Sequence, residues 1–273
     1  MMKRTQKLTI AGTAALAALA FAGAALAADL PARTYAKAPM VSPVYSWTGF
    51  YVGGHVGAGW GTTETDLNVG ALVNGFLPNA GLGLNLPIGQ TQLNGFLGGA
   101  QAGYNWQAGM MVFGVEGDFT WSGLKGGTTC LLVIHCDAEV KWIGDVTGRV
   151  GATVGDRGLV YIKGGGAWAD SKYLVNQNVT VGGIGGGLTG TLDGSVSKTR
   201  FGGVLGAGIE YGFMPNWSAK LEYDYFDFGK TDLSMPVRAA GAIANAGGSA
   251  SFNLPINVNQ QIHTIRVGAN YHF

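Results

Sequence analysis

The sequence predicts an all-β chain, an eight-stranded antiparallel up-and-down barrel, on three observations. Glycine supplies 48 of 273 residues, while charged residues make up 12% and aromatics 11%. Glycine at that level opposes long helices, and so little charge is unusual for a surface that meets only water. Apolar and polar residues alternate strictly in several segments, the period of a half-buried strand. The connections between those segments are alternately short and long.

At the N-terminus, Lys3, Arg4 and Lys7 precede an apolar run from Leu8 that closes on Ala25-Leu26-Ala27. That is the small-x-small ending of a signal peptide, so residues 1–27 read as an export signal outside the fold. Without those three cations, 14 basic residues face 16 acidic ones, a net charge of −2. A nucleic-acid binder would show a basic face instead. Beyond the signal no apolar stretch is long enough for a membrane helix. Residues 28–46, "ADLPARTYAKAPMVSPVYS", are punctuated by proline and do not alternate. They read as a short periplasmic N-terminal tail, and 47–273 as the barrel.

Eight segments of roughly 10–16 residues carry the strand pattern. The clearest are "FGVEGDFTW" (113–121), "VKWIGDVTGRVGATV" (140–154), "WSAKLEYDY" (217–225) and the closing "HTIRVGANYHF" (263–273). In the last, Ile265, Val267, Ala269, Tyr271 and Phe273 form an apolar row opposite Thr264, Arg266, Gly268, Asn270 and His272. Segments near 48–61, 93–107, 159–173 and 198–212 alternate more weakly because glycine fills polar-row positions. The connections "QAGM" (107–110), "GDRG" (155–158) and "FMPN" (213–216) are tight, whereas 62–91, 125–138, 175–197 and 229–259 are long. Short turns on one rim and long loops on the other describe a transmembrane barrel of the outer-membrane type. Aromatics gather at both strand ends, as expected where rings sit at headgroup depth. The last strand must pair with the first, since lipid tolerates no open edge. Tyr271 and Phe273 therefore read as structural residues that also resemble a C-terminal signal read by outer-membrane assembly machinery.

The inward row carries Lys141, Arg149, Lys163, Arg200, Lys220 and Arg266 against Glu116, Asp118, Asp145, Glu210, Glu222 and Asp224. Eight strands leave an interior that side chains can fill, and charges there must be paired. The expectation is an interlocked polar core, with inward glycines (Gly53, Gly57, Gly99, Gly103, Gly151, Gly165, Gly202, Gly206) leaving space for a narrow water path. Cys130 and Cys136, in "CLLVIHC", read as a disulfide in an exported chain. His135 between them does not complete a metal set. "GGGLTG" (185–190) lacks the strand and helix that its phosphate-binding namesake needs, and no G-x-S-x-G occurs. Catalytic, cofactor and metal residues are expected to be absent, and nucleic acid is not an expected partner.

The blocks "ADLPARTYAKAPM", "WTGFYVGGHVGAGWG", "NGFLGGAQAGYNWQ" and "RVGANYHF" resemble the small outer-membrane β-barrel proteins of rhizobia and brucellae, a porin-family or OmpA-like membrane-domain group. The resemblance covers nearly all of the chain after the signal. It implies a surface-exposed barrel that supports envelope integrity, in contact with outer-membrane lipids and lipopolysaccharide. Alternative readings are a small diffusion pore, or adhesion to a host or cell-surface ligand through the long loops. Apolar loop residues Leu72, Val73, Phe76, Leu77 and Ile243 raise the last of these.

Overall fold

The computed structural model describes residues 45–69, 85–130, 134–181, 188–241 and 249–273. They form eight strands: β1 (Gly49–Asn68), β2 (Asn85–Ala108), β3 (Met111–Cys130), β4 (Ile134–Val154), β5 (Gly158–Val181), β6 (Leu188–Met214), β7 (Trp217–Gly241) and β8 (Ser249–His272). Each pairs antiparallel with its sequence neighbour, and β8 returns to β1, closing the barrel. The closing ladder runs from Tyr51 opposite His272 to Leu67 opposite Ile256. Phe273 extends it by one bond, its N–H donating to Phe50 O at 3.0 Å. The tight turns fall where alternation places them. Gly109 and Gly155 occupy two of them with φ of +62°, a conformation glycine adopts without steric cost.

The strands are longer than their pattern, 20–27 residues each. Much of what reads as long loop in the sequence is strand. The expected loop 62–91 begins with β1 continuing to Asn68 and ends with β2 starting at Asn85, and 229–259 is largely β7 and β8. Leu72, Val73, Phe76, Leu77, Ile243, Gly185, Gly187 and residues 1–44 lie outside the described residues.

One strand explains the mismatch. From Ile265 onward, β8 turns Ile265, Val267 and Tyr271 outward and buries Thr264, Arg266, Asn270 and His272. Before Ile262 the same alternation continues with the chemistry exchanged: Ile256, Val258 and Ile262 are buried, and Asn257, Asn259 and Gln261 face out. The lower part is built for lipid outside, the upper part for water outside. From Ile265 to Phe273 the strand rises about 20 Å, at ~3.3 Å per residue and a tilt near 40°. That approaches the ~25 Å apolar band of such barrels.

On β3, β4 and β7 the exchange coincides with bulges. Register shifts lie between Trp121 and Leu124, between Val140 and Trp142, and between Asp227 and Lys230. An extra residue flips every later side chain to the other face. Val140 is therefore fully buried inside, whereas strict alternation puts it outside. Aromatic girdles bracket the apolar band. The lower one sets Phe50 edge-on to Tyr104 and Trp217 edge-on to Tyr271; the upper one stacks Trp60 on His263 and Phe119 on Trp142 and tilts Trp168 against Phe201.

Candidate functional site: a lumen of buried charge

The lower lumen is organised around Glu116 on β3. Its carboxylate lies 3.3 Å from Lys163 Nζ, 3.5 Å from Lys220 Nζ and 3.7 Å from Arg149 Nη1. Tyr51 donates to it at 2.8 Å. Glu222 on β7 is the second hub, 2.9 Å from both Lys163 and Arg266 and 3.5 Å from Lys220, with Tyr161 donating at 2.7 Å. Arg266 also reaches Asp118 at 2.9 Å and pairs with Asp224. Arg149 reaches Glu210 at 3.4 Å, and its guanidinium sits over the Tyr51 and Tyr161 rings at 4.6 and 5.2 Å. These charged residues are all buried. Removing ions from water is costly unless each finds several partners; Glu116 and Glu222 are each shared among three cations and Asp224 between Lys163 and Arg266, while Asp118 and Glu210 each meet one.

Two expected members are elsewhere. Lys141 is not in the lumen. The bulge at Val140–Trp142 turns it to the outer face, where it lies 3.6 Å from Asp170 and is 45% exposed. Arg200 is buried but touches no carboxylate among the described residues; it donates to Gly229 O at 2.6 Å, Val258 O at 3.0 Å, Tyr173 Oη at 3.2 Å and Phe228 O at 3.3 Å. The lower lumen thus holds four cations (Arg149, Lys163, Lys220, Arg266) against six carboxylates, a departure from the expected balance of six to six. His55 at 3.5 Å from Asp118 and His272 at 3.5 Å from Glu210 stand where the excess is. Asp145 is buried in the same lumen, and neither of its oxygens receives a hydrogen bond from the described residues.

Neutral partners that charge counting overlooks extend the network. His55 Nδ1 donates to Gln101 Oε1 at 2.6 Å, Gln101 donates to Asn270 at 2.7 Å, and Asn270 donates to Glu210 at 2.7 Å. All lie on the inward row, so alternation names their positions but not their roles. Ser218, Glu210 and His272 meet in one place, yet Ser218 Oγ donates to the carboxylate itself, and His272 Nε2 is 2.9 Å away. A nucleophile whose proton already serves a buried carboxylate, with no surface exposed, lacks the relay that activation requires. Among the described residues no three His, Cys, Asp or Glu side chains group as metal ligands.

Two inward glycines make room for aromatic side chains. A Cβ on Gly208 would lie 2.6 Å from the Tyr161 ring, and one on Gly103 would strike the Tyr51 hydroxyl. Their missing side chains make room for the two tyrosines that reach the hubs. Below them the end of the expected tail packs into the short-turn mouth. Tyr45 and Trp47 are buried with Val112, Leu159 and Tyr161, Trp47 N–H donates to Gln107 Oε1 at 2.9 Å, and both rings meet His272 edge-on at 5.7 Å. The reading of 28–46 as tail is corrected at this end, for Tyr45 belongs to the barrel.

Above the polar layer the interior turns apolar. Leu93, Leu97, Leu124, Val140, Ile143, Phe226, Met235, Val258 and Ile262 belong to one buried cluster. Cys130 and Cys136 are joined there, Cα atoms 6.0 Å apart, across the top of the β3–β4 hairpin. The bond faces inward near Gly89 and not out along the rim.

Known proteins align with this architecture. A family model described as outer membrane protein beta-barrel domain matches residues 13–273. The 31 kDa outer-membrane immunogenic protein of Brucella melitensis is 34% identical over 271 residues, 95% of this chain and 98% of that one. The 22 kDa outer membrane protein of Rhizobium leguminosarum is 30% identical over 198 residues, 71% of each chain. The 25 kDa outer-membrane immunogenic protein of Brucella canis is 29% identical over 236 residues, covering 85% and 89%. All are named as outer-membrane proteins. A closed eight-stranded barrel with lipid-type chemistry outside and paired charge inside, matched by that model over nearly its whole length, belongs to the outer membrane protein beta-barrel domain family and resides in the outer membrane.

Proposed function

We propose that this outer-membrane barrel serves as a structural, surface-exposed element of the envelope, with a lumen closed to solutes and no enzymatic role. The observation that carries the reading is the Glu116–Glu222 network, whose Lys163, Lys220, Arg149 and Arg266 are all buried at 1–4% exposure. Tyr45 and Trp47 cover it from below. A conducting pore needs a wet constriction and sites that ions can leave, whereas here each cation is held by several anions. Single-channel recording of folded, heat-modifiable protein in a planar bilayer tests this. Silence is the expected result, and reproducible ohmic steps would replace it with the diffusion-pore reading.

Outer-membrane lipids and lipopolysaccharide are its surroundings, met by the exposed Phe96, Trp121 and Phe201 of the upper girdle. Its encounter with assembly machinery is assigned to Tyr271 and Phe273. Phe273 is 73% exposed, packed edge-on to Tyr271 at 5.1 Å, and held by its backbone bond to β1. A second reading, contact with a cell-surface ligand, is favoured by the strands that continue above the apolar band. Loss of binding to host cells on shortening the β7–β8 hairpin, with heat-modifiability kept, would support it.

A further inference from the structure

The upper interior contains a cavity of ≈ 230 Å³. Its wall includes Ile88, Leu192, Met235, Val237, Leu254 and Ile256, and Asp137 is the one charged residue among those lining it. Apolar cavities of about 150 Å³ stay dry and take up small hydrocarbons, so this volume accommodates a larger apolar guest.

The wall beside the cavity is irregular. β6 pairs with β7 from Gly190 opposite Gly241 to Gly194 opposite Val237, and the ladder resumes only at Gly203 opposite Asp227. Between these points residues 195–202 and 228–236 have no register partners across the seam. Arg200 partly spans the interval by donating to Phe228 O and Gly229 O. Lys198 lies on the inward row with Arg200, yet it is exposed. A surface pocket at the upper end of the interruption shares Leu174, Val175 and Val237 with the cavity and adds the polar groups Asn176, Asp193, Ser195 and Arg238. The interruption begins at the level of Phe201 and Tyr225 in the upper girdle. An irregular ladder would be costly within hydrocarbon, but here it borders the headgroup region. An apolar chamber, an irregular seam and a polar rim form, in that order, a container for an amphiphile.

We propose that this chamber binds one unbranched hydrocarbon chain of an amphiphile, passed through the β6–β7 interruption with its polar end left among Asn176, Asp193 and Arg238. The inference goes beyond the closed-barrel reading, since the chamber lies above the charge layer and is independent of conductance. The chain can belong to a membrane lipid or to a free fatty acid. Met235, 3% exposed in the cavity wall, is a built-in probe, and Met110, Met111 and Met214 at the short-turn end are its reference. Perdeuterated protein with protonated methionine methyls is placed in nanodiscs. One arm uses lipids with protonated chains; the other uses deuterated lipids and added protonated decanoate. A nuclear Overhauser cross-peak from the Met235 methyl to chain methylenes in the first arm identifies a lipid source. One confined to the second arm, saturating with decanoate, identifies a free one. Filling the chamber with Leu254→Trp should abolish the cross-peak, and blocking the side pocket with Ser195→Trp should weaken decanoate binding at least tenfold, both in protein that stays heat-modifiable. No Met235 cross-peak in either arm overturns the site, and binding unaffected by Ser195→Trp overturns the route.

Discussion

At the scale of single residues, this lumen separates two kinds of charge. Arg266 touches Asp118, Glu222 and Asp224, all buried, so Arg266→Met leaves three carboxylates short of a cation. The expected cost is about 3–5 kcal/mol, the usual consequence of breaking a buried ionic set by removing one partner. Lys141→Ala removes only a partly exposed pair with Asp170 and should change stability by less than about 0.5 kcal/mol. Urea titration of the folded fraction in lipid checks both, and equal effects would mean that the network adds nothing. The buried charges were legible because alternation places inward residues. Lys141 was misplaced because a bulge is one extra residue with no composition of its own, and Tyr51, Tyr161 and Gln101 were missed because neutral groups do not announce a charge network.

At the scale of the strand, the exchange of faces on β8 defines where lipid stops. Val267 faces outward within the apolar band, and Val267→Arg should destabilise by about 2–4 kcal/mol, as cations do near the bilayer midplane. Asn259, also outward but above the exchange, should accept arginine at a cost of about 0–1 kcal/mol. Refolding titrations into bilayers measure both, and a similar penalty at the two positions would move the membrane boundary upward. The closing end of the same strand makes a further prediction. Deleting Phe273 removes the bond to Phe50 and an exposed aromatic ring, so outer-membrane yield should fall far more than on deleting residues 28–40. Quantifying heat-modifiable protein in membrane fractions decides it. Strand number and order were readable from the sequence, but strand length was not. A reader tracking one apolar face stops at Ile262–Ile265, where that face changes sides without the strand ending.

At the scale of the whole molecule, two layers fill the short-turn end: the ion-paired network and, under it, Tyr45 with Trp47. Replacing both aromatics by alanine removes the lower layer alone. The doubly substituted barrel should remain electrically silent in planar bilayers, because the network above is untouched. Steady conductance would show that the aromatics are the seal. The sequence could not foretell this lower layer, since Tyr45 sits in a proline-marked segment without periodicity and its docking depends on a mouth formed by distant strands. The apolar upper chamber escaped for the same reason: it is assembled from residues that look like loops until bulges reset their faces.

The strands that overshoot the membrane also determine how an immune system would meet this protein. β8 alone has 16 residues before Ile265, a rise of about 40 Å beyond the apolar band at ~3.3 Å per residue and a tilt near 40°. Up to the hairpin tips, an antibody arriving from outside touches the flank of a pleated wall, where neighbouring side chains come from different strands. Its epitope is assembled by folding and absent from any short peptide. Serum raised against the native barrel should bind poorly to the boiled chain, and competing it with peptides cut from β7 or β8 should recover little.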